Sequence, residues 1–279
     1  MGGDLAAEWL KLRKRASTWV LGTVLFLSVL LFGYVLAYAF VATAPDAGGS
    51  PDGTSPAAQP ALGEMLQDLL PENMVSNLLA ATSGPGKILA LVLGVMTVGS
   101  EYGWGTLKTI LVQRSGRAGI AFGKLLAVGT ALVAFVLAAF AAGAVGSCGV
   151  ALVENVPVRW PGAGELVGGA VATWLILTTW AVLGAFLAAL FRGTPIAVGV
   201  GLIYALVLEG IVASSPVENG VLKGALGMLP GQSSSSLASS FGPTAQSGGD
   251  SQAVLLLTFY VVGFSVATSL LLRARDVDD

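Results

Sequence analysis

The sequence predicts an all-α integral membrane protein with six transmembrane helices, and three observations predict it. The chain is 54% hydrophobic and 11% charged, where soluble domains carry roughly a quarter charged residues. Its mean hydropathy is +0.81. The apolar residues also gather in six charge-poor runs, and such runs must be helical in lipid because unpaired backbone groups are costly there. The basic residues set the orientation. With six spans, Lys11, Arg13, Lys14, Arg15, Lys108, Arg114, Arg117, Lys124, Arg192, Arg273 and Arg275 share one side. The other side holds Lys87, Arg159 and Lys223. The excess of positive charge inside then places both termini in the cytoplasm.

Taken in order, residues 4–16 form an interfacial amphipathic helix. Leu5, Trp9 and Leu12 fall on one face, with Lys11 and Lys14 around it to meet anionic lipid. Residues 18–44 form span 1, too long an apolar run for a cleavable signal segment. Residues 45–81 are an outer loop. Its first part is a Pro/Gly/Ser/Ala linker, and Leu62, Met65, Leu66 and Leu69 then recur at helical spacing, which predicts a short helix on the outer surface. The acidic residues Asp46, Asp52, Glu64, Asp68 and Glu72 all lie in this loop.

Span 2 is placed at 82–100, with Lys87 snorkelling outward and a break expected at Gly84-Pro85-Gly86. A polar wedge, 101–118, follows. Gly103 and Gly105 allow the tight turn out of the span, and Thr106 is suited to cap a short helix. Leu107, Ile110 and Leu111 make its apolar stripe, while Lys108, Gln113 and Arg114 face elsewhere. Such a helix can lie flat at the interface or seat its stripe in a groove on a soluble partner. Glu101, beside Tyr102, needs a partner or water at the end of a span.

Span 3 is placed at 120–146, within a charge-poor run that continues to Val153. Its Ala138, Ala142 and Gly146 form a small-residue stripe suited to close helix contact, inside the chain or at a dimer seam. Spans 4 and 5 cover 166–191 and 193–213. Glu209 lies about 24 Å along its helix from Gly193, which puts it near the outer surface. It reads either as an interfacial glutamate or as a substrate or proton-relay carboxylate, with no opposite intramembrane charge in view. The outer loop 216–250 carries Val221, Leu222, Leu226 and Leu229 ahead of Pro230-Gly231, consistent with a short helix dipping into the membrane, and Ser233–Ser236 reads as linker. Span 6 is 251–272.

Several chemistries have no residues to carry them. There is no histidine and one cysteine, Cys148, so a Cys/His metal cluster and an intramolecular disulfide are both ruled out, and Cys148 reads as a small apolar filler. No phosphate-binding Gly-x-x-x-x-Gly-Lys-Ser/Thr loop and no Gly-x-Ser-x-Gly elbow is present. A membrane-embedded enzyme is therefore disfavoured. A secondary transporter or channel should show inverted repeats, and none is evident.

Glu101-Tyr102-x-x-Gly105-Thr106-Leu107-Lys108 at the inner end of span 2 resembles the permease subunits of type-2 ATP-binding-cassette (ABC) exporters. The likeness extends to the basic helix around Trp9, the six-span count and the Leu229-Pro230 segment. It implies that Glu101 to Gln113 form a coupling helix docking on a separate cytoplasmic ATPase, with the N-terminal helix packed beside it. It also implies a homodimeric permease with two ATPase copies that bind ATP and magnesium, no cofactor in this chain, and a bacterial cell membrane as the location. The cargo would be an amphiphilic or lipophilic small molecule, peptide or lipid, and no nucleic acid is involved. The alternative within this class is an antibiotic immunity or sensing complex. The first outer loop departs from the pattern by its length.

Overall fold

The computed structural model describes residues 14, 16–43, 58–103, 117–214, 224, 226–241 and 251–274. All regular structure among the described residues is helical. Among the described residues, six helices are long and apolar enough to cross a membrane. We label them, with two shorter elements, α1 (Ala16–Thr43), α2 (Ala58–Asp68), α3 (Pro71–Ser100), α4 (Arg117–Val153), α5 (Ala163–Phe191), α6 (Thr194–Val212), α7 (Pro230–Ser239) and α8 (Ser251–Ala274).

The helix α5 lies at the centre. Ile176, Leu177, Trp180, Ala181, Ala185 and Ala188 on it are all fully buried. Its most extensive partner is α3, and glycine is the reason. A Cβ on Gly94 would collide with the backbone of Ala181, and one on Gly184 with the backbone of Leu91. Small residues let two helix backbones approach this closely, which is the main source of helix affinity where lipid is as apolar as leucine. The stripe on α4 also packs within the chain. Ala142 is buried, and a Cβ on Gly146 would strike the Tyr34 ring of α1.

The outward faces are equally apolar. Trp19, Phe32 and Phe40 on α1, Ile203 and Leu206 on α6, and Leu255, Phe259 and Val262 on α8 are all more than half exposed. A continuous apolar girdle of this kind belongs in hydrocarbon. Many hydroxyl side chains inside the helices bond back to carbonyls one turn earlier, as Thr97 does to Leu93 and Thr179 to Leu175, whereas the buried hydroxyls of Thr173 and Thr178 on α5 make no hydrogen bond.

Three of the spans are irregular. A wide i→i+5 turn interrupts α1 at Leu31–Val35, α3 at Thr82–Gly86 and α6 at Ile203–Leu208. In α1 the turn frees the Gly33 carbonyl, which accepts a 2.9 Å hydrogen bond from Asn77 Nδ2 of α3. In α3 the cause is Pro85, which has no N–H to donate, with Gly84 outside helical geometry at φ −87°, ψ −107°. The expected break at Gly84-Pro85-Gly86 is therefore present, but the helical path does not begin there. It starts at Pro71, before the 82 read from the sequence, because Thr82 and Ser83 bond the Leu79 carbonyl and carry the chain across the kink.

The short helix α2 covers the region where helical spacing predicted one. Leu62 and Leu66 turn inward and Met65 outward, and Leu69 just beyond is buried. Tyr38 donates a 2.7 Å hydrogen bond to Glu154 Oε1, tying the same end of α1 to α4.

Candidate functional site

The end of the bundle near α2 and α7 holds the one ion pair found among the described residues. Lys87 Nζ lies 3.0 Å from Glu209 Oε2, with side chains 14% and 3% exposed. This corrects two expectations. Lys87 does not snorkel outward, and Glu209 is buried with an opposite charge beside it. The wide turn in α3 ends at Gly86, immediately before Lys87, and that kink directs the lysine toward α6.

Glu209 reaches the cluster through a second irregularity. Ala197, Gly201 and Ala205 are buried on α6 at steps of four residues, and Glu209 continues the series. In a regular helix four residues overshoot a full turn by about 40°, so three steps would swing Glu209 about 120° off the buried face. The i→i+5 turn at Ile203–Leu208 accommodates about one extra residue and takes up most of that drift.

The third component is the amino end of α7. Gly231 N–H donates a 2.8 Å hydrogen bond to Glu209 Oε1. Pro230 occupies the first helical turn, where its missing N–H is no loss, and Gly231 leaves space that any Cβ would fill with a collision against the carboxylate. The carboxylate thus meets a lysine ammonium on one oxygen and a helix amino terminus on the other. Both carry positive charge or partial charge, so the buried anion is doubly compensated.

Aromatic groups enclose the pair. Lys87 Nζ stands 5.1 Å from the centroid of the Trp180 ring, an attractive cation–π geometry. Trp180 is fully buried, and its Nε1 donates to Ser234 Oγ at 3.3 Å, while Ser234 itself donates to the Pro230 carbonyl at 2.7 Å. Tyr204 lies 6.0 Å from Trp180, ring to ring, and its hydroxyl is beside the Glu209 carboxylate. On α8, Tyr260 donates to the Met228 carbonyl at 3.0 Å and stacks on Phe264, which stacks on Phe186 of α5.

The serine run is a further correction. Ser233–Ser236 lie in the helix α7, with Ser233 and Ser234 buried, where a linker was expected. Of the sequence-predicted residues, Glu101 and Tyr102 fall in the last helical turn of the Lys87–Gly103 segment, and Lys14 is an exposed helical residue. Gly105, Thr106, Leu107, Lys108, Ile110 and Leu111, together with Leu5, Trp9, Lys11 and Leu12, lie outside the described residues. Lys87, Trp180, Tyr204, Gly231 and Ser234 were missed as a group. Two lone charges of opposite sign, each in an otherwise apolar run, were the signal that could have joined them.

The arrangement holds three segments together without offering a nucleophile and base in contact. Among the described residues no group of His, Cys, Asp or Glu is placed to hold a metal ion.

No curated protein matches the chain. A family profile described as ABC-2 family transporter protein matches residues 5–241. That match runs from ahead of α1 through the whole of α7, and with six helices of spanning length behind it the chain belongs to the ABC-2 transporter family, as a membrane permease component of an ABC transporter.

Proposed function

We propose that this permease is the membrane half of an ATP-driven exporter that moves an amphiphilic or lipophilic small molecule, peptide or lipid out of the cell. Two copies pair, and each engages one copy of a separate cytoplasmic ATPase, which binds the ATP and magnesium. The observation that carries this reading is the family match over residues 5–241 in a chain with no phosphate-binding loop of its own. The distribution of basic residues supports placing both termini and the segment 101–118 in the cytoplasm. That end, with its Leu107, Ile110 and Leu111 stripe, is the coupling helix by this reading. The opposite end, with α2, α7 and the Lys87–Glu209 pair, faces outward. The apolar character of the span walls favours an amphiphile over an ion or a sugar phosphate.

Affinity purification from the native host tests the assignment. A co-purifying ATPase is expected, with vanadate-sensitive hydrolysis that changes across a panel of amphiphilic compounds. Leu107→Asp or Ile110→Asp should leave membrane insertion intact and abolish transport, because either substitution puts a charge in the apolar seam through which force is delivered. Full transport by a chain reconstituted without any ATPase would refute the reading. Accumulation of cargo in the membrane rather than its release outside would favour the immunity or sensing alternative.

A further inference from the structure

We propose that Lys87, Glu209 and the amino end of α7 form a latch that holds the outer end of the permease shut and is released once in each transport cycle. The inference rests on the ATP-driven reading above.

Two of the segments that meet in the cluster, α3 and α6, are irregular just where they meet, and a third, α7, begins there. Gly84 has left helical geometry three residues before Lys87, the i→i+5 turn of α6 ends immediately before Glu209, and α7 begins at Pro230. Backbone of this kind can pivot while the hydrogen bonds on either side stay made. The joining contacts are also electrostatic rather than apolar. Apolar residues of similar volume would hold a permanent seal as well or better, because burying two charges carries a large desolvation penalty. That penalty is recovered when the pair separates into water, so a closed dry state and an open wet state are both favourable arrangements. Glu209 contributes one oxygen to each neighbour, and its withdrawal frees Lys87 and α7 together.

The underside of α7 fits the same role. Ser233 and Ser234 are almost fully buried there, yet their hydroxyls can be hydrated as readily as they bond the Met228 and Pro230 carbonyls. Farther along the same helix the buried residues are apolar, Leu237 and Ala238, so the part of α7 that water can take over is its amino end beside Glu209.

The test is thiol accessibility from outside. In a Cys148→Ser background, Ser234→Cys is labelled with a membrane-impermeant maleimide in proteoliposomes carrying the permease with its ATPase. Ser233→Cys, equally buried, serves as a second probe if the first variant folds poorly. Labelling should be slow at rest and faster by about tenfold or more during ATP turnover, as expected when a minor open state becomes substantially populated. Adding Glu209→Gln should raise the resting rate to the turnover rate. The exchange Lys87→Glu with Glu209→Lys should not restore protection, since it points an ammonium at the amino end of α7. Protection restored by the exchange would show that the helix end takes no part. Equal labelling at rest and in turnover, with hydrolysis running, would make α7 a fixed anchor and overturn the latch. Continued protection in Glu209→Gln would overturn it independently of any ATPase. Absence of vanadate-sensitive hydrolysis would instead remove the ATP-driven reading and, with it, the cyclic release, while the resting comparison would still decide the clamp.

Discussion

Replacing Gly94 with alanine isolates the contact that the bundle is built around. A Cβ at this position would stand 2.9 Å from Ala181 Cα and closer still to the Ala181 carbonyl. Carbon atoms in ordinary contact lie about 3.5–4.0 Å apart, so α3 and α5 must separate by about 1 Å. Backbone cannot rotate aside as a side chain can. A radial gap of this size forfeits about a quarter to a half of each dispersion contact along the interface, and this interface is the most extensive one among the described residues. Overpacking of this kind costs about 1–3 kcal/mol, against at most about 1 kcal/mol gained from alanine as a better helix former. Gly149 supplies the control. Nothing lies within 4 Å of its added Cβ, so Gly149→Ala keeps only the favourable propensity term. The propensity gain is common to both, so the two variants should differ by the overpacking cost alone, about 1–3 kcal/mol, which in a chain of this length corresponds to roughly 2–12 °C in Tm. Thermal unfolding in a mild detergent measures this, with the fluorescence of Trp174 and Trp180 on α5 as the probe. Equal midpoints for Gly94→Ala and Gly149→Ala would refute the idea that glycine contact holds α3 to α5.

Two further outcomes follow from contacts nearby. Asn77→Leu removes the donor to the Gly33 carbonyl in the wide turn of α1 and should destabilise by about 0.5–2 kcal/mol, read as a lower midpoint in a detergent-denaturation curve. Trp180→Phe keeps an aromatic ring but loses the N–H bonded to Ser234 and the stronger cation–π face offered to Lys87. It should cost about 1–2 kcal/mol and raise resting thiol labelling of α7 in the accessibility experiment above.

The spans were legible because hydropathy is a local property of the chain. Hydrocarbon requires helix wherever about 20 apolar residues run together, and the small-residue positions Ala142 and Gly146 already marked α4 as able to approach another helix closely. Their partner, Tyr34, was not legible, since helical spacing gives the face and not what meets it. The Lys87–Glu209 pair failed for the same reason more severely, its members being 122 positions apart. Each charge taken alone has a commonplace reading, snorkelling for the lysine and an interfacial position for the glutamate. Only the kink at Pro85 and the wide turn before Glu209 bring them together, and neither turn's angular consequence is written in composition. The serine run misled for a different reason. Gly and Ser in series read as flexible linker in water, whereas in a close-packed bundle small hydroxyl residues satisfy themselves on their own carbonyls, as Ser234 does on Pro230, and let a helix pack tightly.

The placement of the irregular turns also bears on how a push at one end could reach the other. From Lys87 to Gly103 the segment of α3 is 17 residues of uninterrupted helix, about 25 Å long, and the glycine contact with α5 stiffens it further. Force delivered at the 101–118 end would therefore travel along α3 with little bending. The first place the rod can yield is the Gly84-Pro85-Gly86 kink, and the last residue before it on the driven side is Lys87. Motion there changes the Lys87–Glu209 distance directly, and the hydrogen bond within that 3.0 Å contact is lost once donor and acceptor separate beyond about 3.5 Å. A stiff α3 with its kink beside the ion pair would thus couple a displacement at one end of the bundle to the Lys87–Glu209 contact at the other.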